Sequence, residues 1–191
     1  ARPGSLPEQP DRLPLAEAVG HPRPTRIPPV TQPQSTLSRP DLEFFNGLGG
    51  FSDSGREYVT ILAPGQSTPA PWINVIANPD FGFQVGREGG GSTWSANSRE
   101  NQLTPWSNDP VTDRPGEVLY VRDEDSGEVW GPTGLPVRSE AAPYIARHGQ
   151  GYSRFEHTAH GIALDLVQYV PLVAPVKIFP LTILNLAGPW P

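Results

Sequence analysis

The stretch Tyr152-Ser153-Arg154-Phe155-Glu156-His157-Thr158-Ala159-His160-Gly161-Ile162-Ala163-Leu164-Asp165-Leu166 decides the fold. Side chains alternate between the two faces of a strand. In Tyr152–His157 that period puts Tyr152, Arg154 and Glu156 on one face and turns Phe155 toward a core, with Ser153 and His157 beside it. In Ile162–Leu166 it puts Ile162, Leu164 and Leu166 on one face and Ala163 and Asp165 on the other. A helix would instead group its apolar residues every three or four positions, and no long stretch of this chain does so.

The same texture extends outward. Short apolar runs separated by turn clusters recur at the roughly 8–12 residue spacing of a sandwich or barrel. The strands predicted from it are Glu57–Ala63, Trp72–Ala77, Phe81–Val85, Ser92–Ser95, Val118–Arg122, Tyr144–His148, Tyr152–His157, Ile162–Val170 and Val176–Leu186. Turns are expected at Asp53-Ser54-Gly55, Asn78-Pro79-Asp80, Asn108-Asp109-Pro110, Asp125-Ser126-Gly127 and His148-Gly149-Gln150-Gly151, where Gly, Asn and Asp tolerate or stabilise tight backbone. Pro180 removes a ladder donor, which confines the last strand to an edge or a break. The expected fold is an all-β antiparallel sandwich. With the chain stopping at Gly188-Pro189-Trp190-Pro191, it is expected to lack later strands.

Ten of the 25 prolines fall in residues 1–40, and all 17 aromatic residues lie from Phe44 onward. The head therefore reads as a disordered, Pro-rich linker over 1–40. Its segment His21-Pro22-Arg23-Pro24-Thr25-Arg26-Ile27-Pro28-Pro29 excludes a helix, and a helical turn at Leu13–Val19 is too short to stand alone. The sandwich is expected over 41–188. Net charge is −6, with a single lysine, Lys177, and scattered arginines. A nucleic-acid partner needs clustered cations, so none is expected. There is no cysteine, which rules out disulfides and thiolate metal sites. The most apolar segment, Leu164 to Leu186, is broken by Asp165, Gln168, Lys177 and three prolines, so no membrane span is expected. Cytoplasm is the default location.

The densest polar and aromatic segment is Ser92–Asp109. An indole covers the C–H face of a pyranose while amides, carboxylates and guanidinium meet its hydroxyls. On that chemistry Trp94, Asn97, Arg99, Glu100, Asn101, Trp106, Asn108 and Asp109 are the candidate carbohydrate contacts. The same residues also fit tryptophans in a core with Asn and Asp capping turns, and composition leaves both open. His157 and His160 have helical spacing in a region of strand and turn, which argues against zinc. A cross-strand Arg–Glu pair is the better account of Arg154 and Glu156. The run Gly89-Gly90-Gly91 lacks the Lys-Ser/Thr of a phosphate loop and reads as a mobile hairpin loop. No metal site, cofactor or catalytic residue is expected.

Several motifs in series resemble one family. Asp41-Leu42-Glu43-Phe44-Phe45-Asn46-Gly47-Leu48-Gly49-Gly50-Phe51, Thr93-Trp94-Ser95-Ala96-Asn97-Ser98-Arg99-Glu100-Asn101 and Leu103-Thr104-Pro105-Trp106-Ser107-Asn108-Asp109-Pro110 are the first three. Tyr120-Val121-Arg122-Asp123-Glu124 and His148-Gly149-Gln150-Gly151-Tyr152 follow in the same order. Together they resemble the N-terminal β-sandwich of glycoside hydrolase family 94, formerly glycosyltransferase family 36, and within it the phosphorylase-like region of the cyclic β-1,2-glucan synthases. The resemblance implies a supersandwich related to galactose mutarotase that supports an (α/α)6 catalytic barrel and helps form a dimer or the rim of an active site. The barrel carries the aspartic general acid, and phosphate attacks with inversion. No catalytic residue carries over, because this chain ends before a barrel could begin. Val173-Ala174 and Phe179-Pro180 depart from the family pattern, and with the early stop the expectation is a truncated or frame-disturbed gene or an excised domain.

The function expected is thus a non-catalytic, carbohydrate-associated sandwich of a glucan phosphorylase or cyclic β-1,2-glucan synthase-type glycosyltransferase. Its expected partners are a β-glucan or glucose oligosaccharide, the helical barrel of a parent enzyme, and a second copy in a homodimer. A stand-alone glucan-binding module and a purely structural packing domain are the alternatives.

Overall fold

The structure, a computed structural model, describes residues 40–52, 55–109, 111–139, 142–186 and 188. The linker expected over 1–40 and the helical turn at 13–19 lie, apart from Pro40, outside the described residues. So do Asp53, Ser54 and Pro110 of the expected turns.

Among the described residues the strands are, in chain order, β1 (Gly49–Phe51), β2 (Glu57–Leu62), β3 (Ile73–Ala77), β4 (Phe81–Gly86), β5 (Gly91–Ser95), β6 (Val121–Arg122), β7 (Val129–Trp130), β8 (Tyr144–Gly149), β9 (Tyr152–Ala159), β10 (Ile162–Tyr169) and β11 (Leu181–Asn185). All paired neighbours are antiparallel. A large sheet has the order β1-β2-β8-β9-β10-β11, a small sheet the order β3-β4-β5, and β6-β7 form a two-stranded ribbon. No helix among the described residues is long and apolar enough to cross a membrane.

The period-2 reading of β9 and β10 holds along both strands. Ser153, Phe155, His157 and Ala159 are buried while their alternates are half-exposed, and Leu164 and Leu166 are buried likewise. The two sheets pack face to face through this pattern. Ile76, Phe83 and Val85 of the small sheet form one core with Ala146, Phe155, Leu166 and Val170 of the large-sheet side. Full burial of each such large side chain is worth about 1.5–3 kcal/mol over leaving it in water. A second core of Trp130, Ala159 and Leu164, flanked by Val121, seats the ribbon on the same face of the large sheet.

Two asparagines of the small sheet bond polar groups across the layers, as burial favours. Asn74 on β3 sends its side-chain amide to Gly149 O and Tyr152 O at 2.9 Å and to Ser153 Oγ at 3.1 Å. Asn78 does the same for the β10–β11 connection, reaching Pro171 O at 2.8 Å and Ala174 O at 2.9 Å. The outer face of the large sheet carries charge. Arg154 grips Asp165 with two bonds of 2.8 Å, and Arg147 meets Glu156 at 2.6 Å and Glu57 at 3.5 Å. The cross-strand pairing expected of Arg154 is therefore chiefly with Asp165, and Glu156 is shared with Arg147.

Several expectations are corrected. The strand read over Val118–Arg122 shrinks to Val121–Arg122, because Glu117 turns inward to Lys177 before it. The strand read over Val176–Leu186 becomes β11, preceded by a single bridge between Ile178 and Tyr169. Pro180 interrupts the ladder, yet its carbonyl still accepts Val167 N–H at 2.9 Å. β11 is an edge of the large sheet. Strands β1 and β7 were not expected. In β1 the glycines are sterically required: a Cβ on Gly49 would lie 2.6 Å from Val59 O, and one on Gly50 would lie 2.6 Å from Glu43 O. The Gly86–Gly91 connection is packed rather than free. Gly86 and Gly90 are buried, and any Cβ on either would collide with the Asp113 carboxylate.

Candidate functional site

The small sheet faces the core with Ile76, Phe83 and Val85. Alternation therefore turns Ile73, Val75, Ala77, Gly82, Gln84 and Trp94 outward. Trp94 lies opposite Gly82, and a Cβ on Gly82 would sit 2.6 Å from the indole Cζ2 and 2.7 Å from Ala77 Cβ. The glycine thus lets the indole lie flat across the strands, half-buried.

Beyond β5 the chain makes a tight turn. Asn97 Oδ1 accepts the N–H groups of Arg99 and Glu100 at 2.9 Å. Asn101 closes the turn through its backbone, donating to Asn97 O and accepting from Ser95 N–H at 3.1 Å. Arg99 and Glu100 pair with each other at 3.3 Å, with both side chains largely in water. The chain then returns antiparallel along the free edge of β5, with a bridge between Gln102 and Trp94. Leu103 N–H bonds Thr93 O at 2.8 Å, and Thr104 Oγ1 accepts Thr93 N–H at 2.8 Å.

That return places Trp106, 48% exposed, at a cavity of about 310 Å³ whose lining includes Asn108, Asp109, Ile73, Gln84 and Arg114. Asp109 Oδ1 accepts Val111 N–H at 2.8 Å and Thr112 N–H at 3.0 Å, and its Oδ2 accepts the Thr112 hydroxyl at 2.6 Å. The Thr112 hydroxyl foremost, with these backbone bonds, lowers the Asp109 carboxyl to about 2. It is an ionised acceptor at any physiological pH. Of the candidate contacts, then, Trp106, Asn108 and Asp109 share one cavity, and Trp94 lies on the same sheet face. Asn97, Arg99, Glu100 and Asn101 lie on the separate turn.

A second cavity of about 300 Å³ adjoins the first, and Pro71, Thr112, Asp113 and Arg114 line both. Arg87 lines only the second. Its Nε donates to Thr68 Oγ1 at 2.7 Å and its Nη2 meets Glu88 at 3.1 Å. Burial, more than any other influence, lowers the Arg87 guanidinium and raises the Asp113 carboxyl from their ordinary values. Neither residue stands out in the sequence. The signal available was an arginine inside a glycine-rich turn, where bare backbone leaves room for another side chain to enter.

The histidines are structural. His157 is buried, stacked on Tyr144 with ring centroids 3.7 Å apart and planes 7° from parallel. Its Nδ1 lies 3.2 Å from Pro143 O, so that nitrogen is the donor. His148 Nδ1 meets Ser153 Oγ at 2.8 Å. Burial first of all lowers both imidazoles to about 4. His160 faces away, 2.7 Å from Glu128. Among the described residues no three His, Cys, Asp or Glu side chains gather as a metal ion would require.

A family model described as the supersandwich domain of glycosyl hydrolase 94 matches residues 56–188. The chain belongs to glycoside hydrolase family 94. A cyclic beta-(1,2)-glucan synthase of Rhizobium meliloti is 49% identical over 145 residues, covering 76% of this chain and 5% of that protein. An N,N'-diacetylchitobiose phosphorylase of Vibrio proteolyticus is 33% identical over 139 residues, covering 72% of this chain and 17% of its own length. A solabiose phosphorylase of Paenibacillus borealis is 33% identical over 141 residues, covering 73% and 18%. The chain thus spans less than a fifth of each of these relatives, and what aligns is the family 94 supersandwich.

Proposed function

We propose that this supersandwich, with its body over 41–188 and residues 1–40 as a linker, is a non-catalytic accessory domain of a larger glucan phosphorylase or cyclic glucan synthase. In this reading the outer face of the small sheet meets the glucan. The observation that carries it is the cavity where the half-exposed Trp106 stands beside Asn108, Asp109 and Gln84. An aromatic wall facing a few placed donors and acceptors is the composition of a sugar site. Trp94 extends the aromatic surface on the same face. The chemistry itself belongs to a helical barrel in the same polypeptide, as the relatives' much greater lengths support.

Titration with sophorose, cellobiose and laminaribiose, followed by tryptophan fluorescence, tests the reading. A saturable change at millimolar sugar that is lost in Trp106→Ala is the expected result. Silence with all three disaccharides removes the glucan contact. A second reading has its own observation: Ile73 and Val75 on this face are 48% and 57% exposed, which suits packing against the catalytic barrel. Protection of β3 amides on adding that barrel in trans, with no response to sugar, would favour it.

A further inference from the structure

β11 ends the large sheet, and among the described residues no strand lies beyond it. Its ladder to β10 shows which backbone groups are left over. Val167 N–H donates to Pro180 O at 2.9 Å and Leu186 N–H to Gly161 O at 2.7 Å. Bonded pairs alternate along an antiparallel ladder, so in the register of these strands the bonds between them fall at Asp165–Thr182 and Ala163–Leu184. Leu181 and Ile183 therefore turn their N–H and C=O groups away from β10, toward the open side. The donor that Pro180 lacks belongs to the β10 side, and the open side is not weakened by it.

Sheet edges are usually blunted by a charge, a proline, a bulge or a covering segment. β11 itself holds no charge and no proline, and no ionisable residue stands between Ile178 and Leu186. Ile183 on its core face and Leu184 on its outer face are 49% and 57% exposed. The opposite edge of the large sheet is covered. Along β1, Glu43 and Phe51 exchange bonds of 2.8 and 2.9 Å, and Gly49 O accepts Asn46 N–H at 2.9 Å.

We propose that the β11 edge joins a second copy of this chain, β11 against β11 about a two-fold axis, so that the large sheet runs on through both. The strand is complementary to itself in that arrangement. With Thr182 opposite the partner's Thr182, Leu181 and Ile183 exchange their backbone bonds with the partner's Ile183 and Leu181. On the core face the facing side chains are then leucine and isoleucine; on the outer face threonine meets threonine and Leu184 meets the partner's Pro180. Apolar and Thr–Thr cross-strand pairs stabilise sheets. Charge favours this contact too. The chain carries −6, which sets copies against one another in general, but this edge is neutral. The carboxylate beside it on β10, Asp165, is held by Arg154 at 2.8 Å. Its counterpart in the second copy lies three strand spacings off, about 14 Å, beyond the roughly 8 Å screening length at physiological salt. Because β1 is covered, the large sheet has no second free edge for further copies, and the assembly closes at two. One strand pair is a small interface, so the dimer is weak and reversible. The contact lies on the large sheet and does not rest on the sugar cavity of the small one.

Sedimentation of the full 191-residue chain from about 1 μM to about 1 mM tests it. The mean mass should rise from that of one chain toward that of two and no further. Over the same range the amides of Leu181 and Ile183 should gain protection from exchange, while those of Thr182 and Leu184, already bonded to β10, should not change. The Thr182 side chain is exposed and its backbone faces β10, so Thr182→Lys and Thr182→Glu keep the fold and set like charges opposite each other. Each should weaken the dimer about tenfold, and an equimolar mixture of the two should associate at least as tightly as the parent. Val75→Lys, on the edge of β3, should dimerise as the parent does. A chain that stays monomeric throughout overturns the proposal, leaving the edge to a further strand of a longer polypeptide. Growth past two chains, a Lys and Glu mixture that stays apart, or loss of association in Val75→Lys overturns it as well.

Discussion

Replacing His157 by Phe separates the packing of this side chain from its titration. The ring is buried against Tyr144, so Phe keeps the aromatic stack while adding a somewhat larger ring to the core. It forfeits the bond to Pro143 O but also removes Nε2, which is buried without a partner. These two effects oppose each other, and the variant is expected within about 1.5 kcal/mol of the parent at pH 7. At that pH the imidazole is neutral in both folded and unfolded chains. The folded imidazole protonates only near 4, whereas a free one does so near 6.5. Between those values the unfolded chain binds a proton that the native chain refuses, so the parent loses stability as pH falls and the loss levels off below 4. The gap of about 2.5 units, at about 1.4 kcal/mol each, caps the effect near 3 kcal/mol; at pH 5 about 2 kcal/mol is already lost. Urea unfolding of both proteins at pH 7, 6 and 5 measures it. His148 and the carboxylates titrate in both chains and cancel in the difference. The variant should gain about 2 kcal/mol on the parent between pH 7 and 5. A difference that stays flat to within about 0.5 kcal/mol would show that His157 is not held neutral by burial, and the account of its site would be wrong.

Gly82→Val should push the Trp94 indole off the sheet, since even a Cβ would lie 2.6 Å from it. A loss of about 1–3 kcal/mol with red-shifted tryptophan emission is expected, and an unshifted spectrum would contradict the flat seating. Lys177 lies 2.7 Å from Glu117 and 4.0 Å from the centre of the Phe83 ring. Burial works to raise Glu117, and bonds from Lys177, Thr93 and Thr104 outweigh it, leaving that carboxyl lowered. Lys177→Met should therefore cost about 2–4 kcal/mol by stranding a charge, and adding Glu117→Gln should recover most of it in thermal melts.

What could be read in advance follows from how local each cause is. The two long strands β9 and β10 were legible because each carries a strict two-residue period, and one face of each is buried along its length. The ribbon was half-legible: its Asp125-Ser126-Gly127 turn announces itself, with Asp123 accepting the amides of Asp125 and Ser126 at 2.8 and 3.1 Å, but strands of two residues carry no period. At the site, the capping of Arg99 and Glu100 amides by Asn97 is a local habit of asparagine, legible from the residue type alone. Which tryptophan would stand half in water and which would lie on a glycine depends on strand pairing, not on composition. That Arg87 and Asp113 line one cavity could not be read from either residue, since 26 positions separate them; the glycines at 86, 89, 90 and 91 were the one local sign that another side chain packs there.

The amide of Asn74 has a consequence for how the molecule comes apart. It fastens the small layer to the tight turn between β8 and β9 at three acceptors, so neither layer can peel away without breaking the other's rivet. Deuterium uptake in β3–β5 and at the β8–β9 hairpin should rise at one common denaturant concentration. In Asn74→Ala the small layer should begin to exchange first, as a flap loosened from its frame.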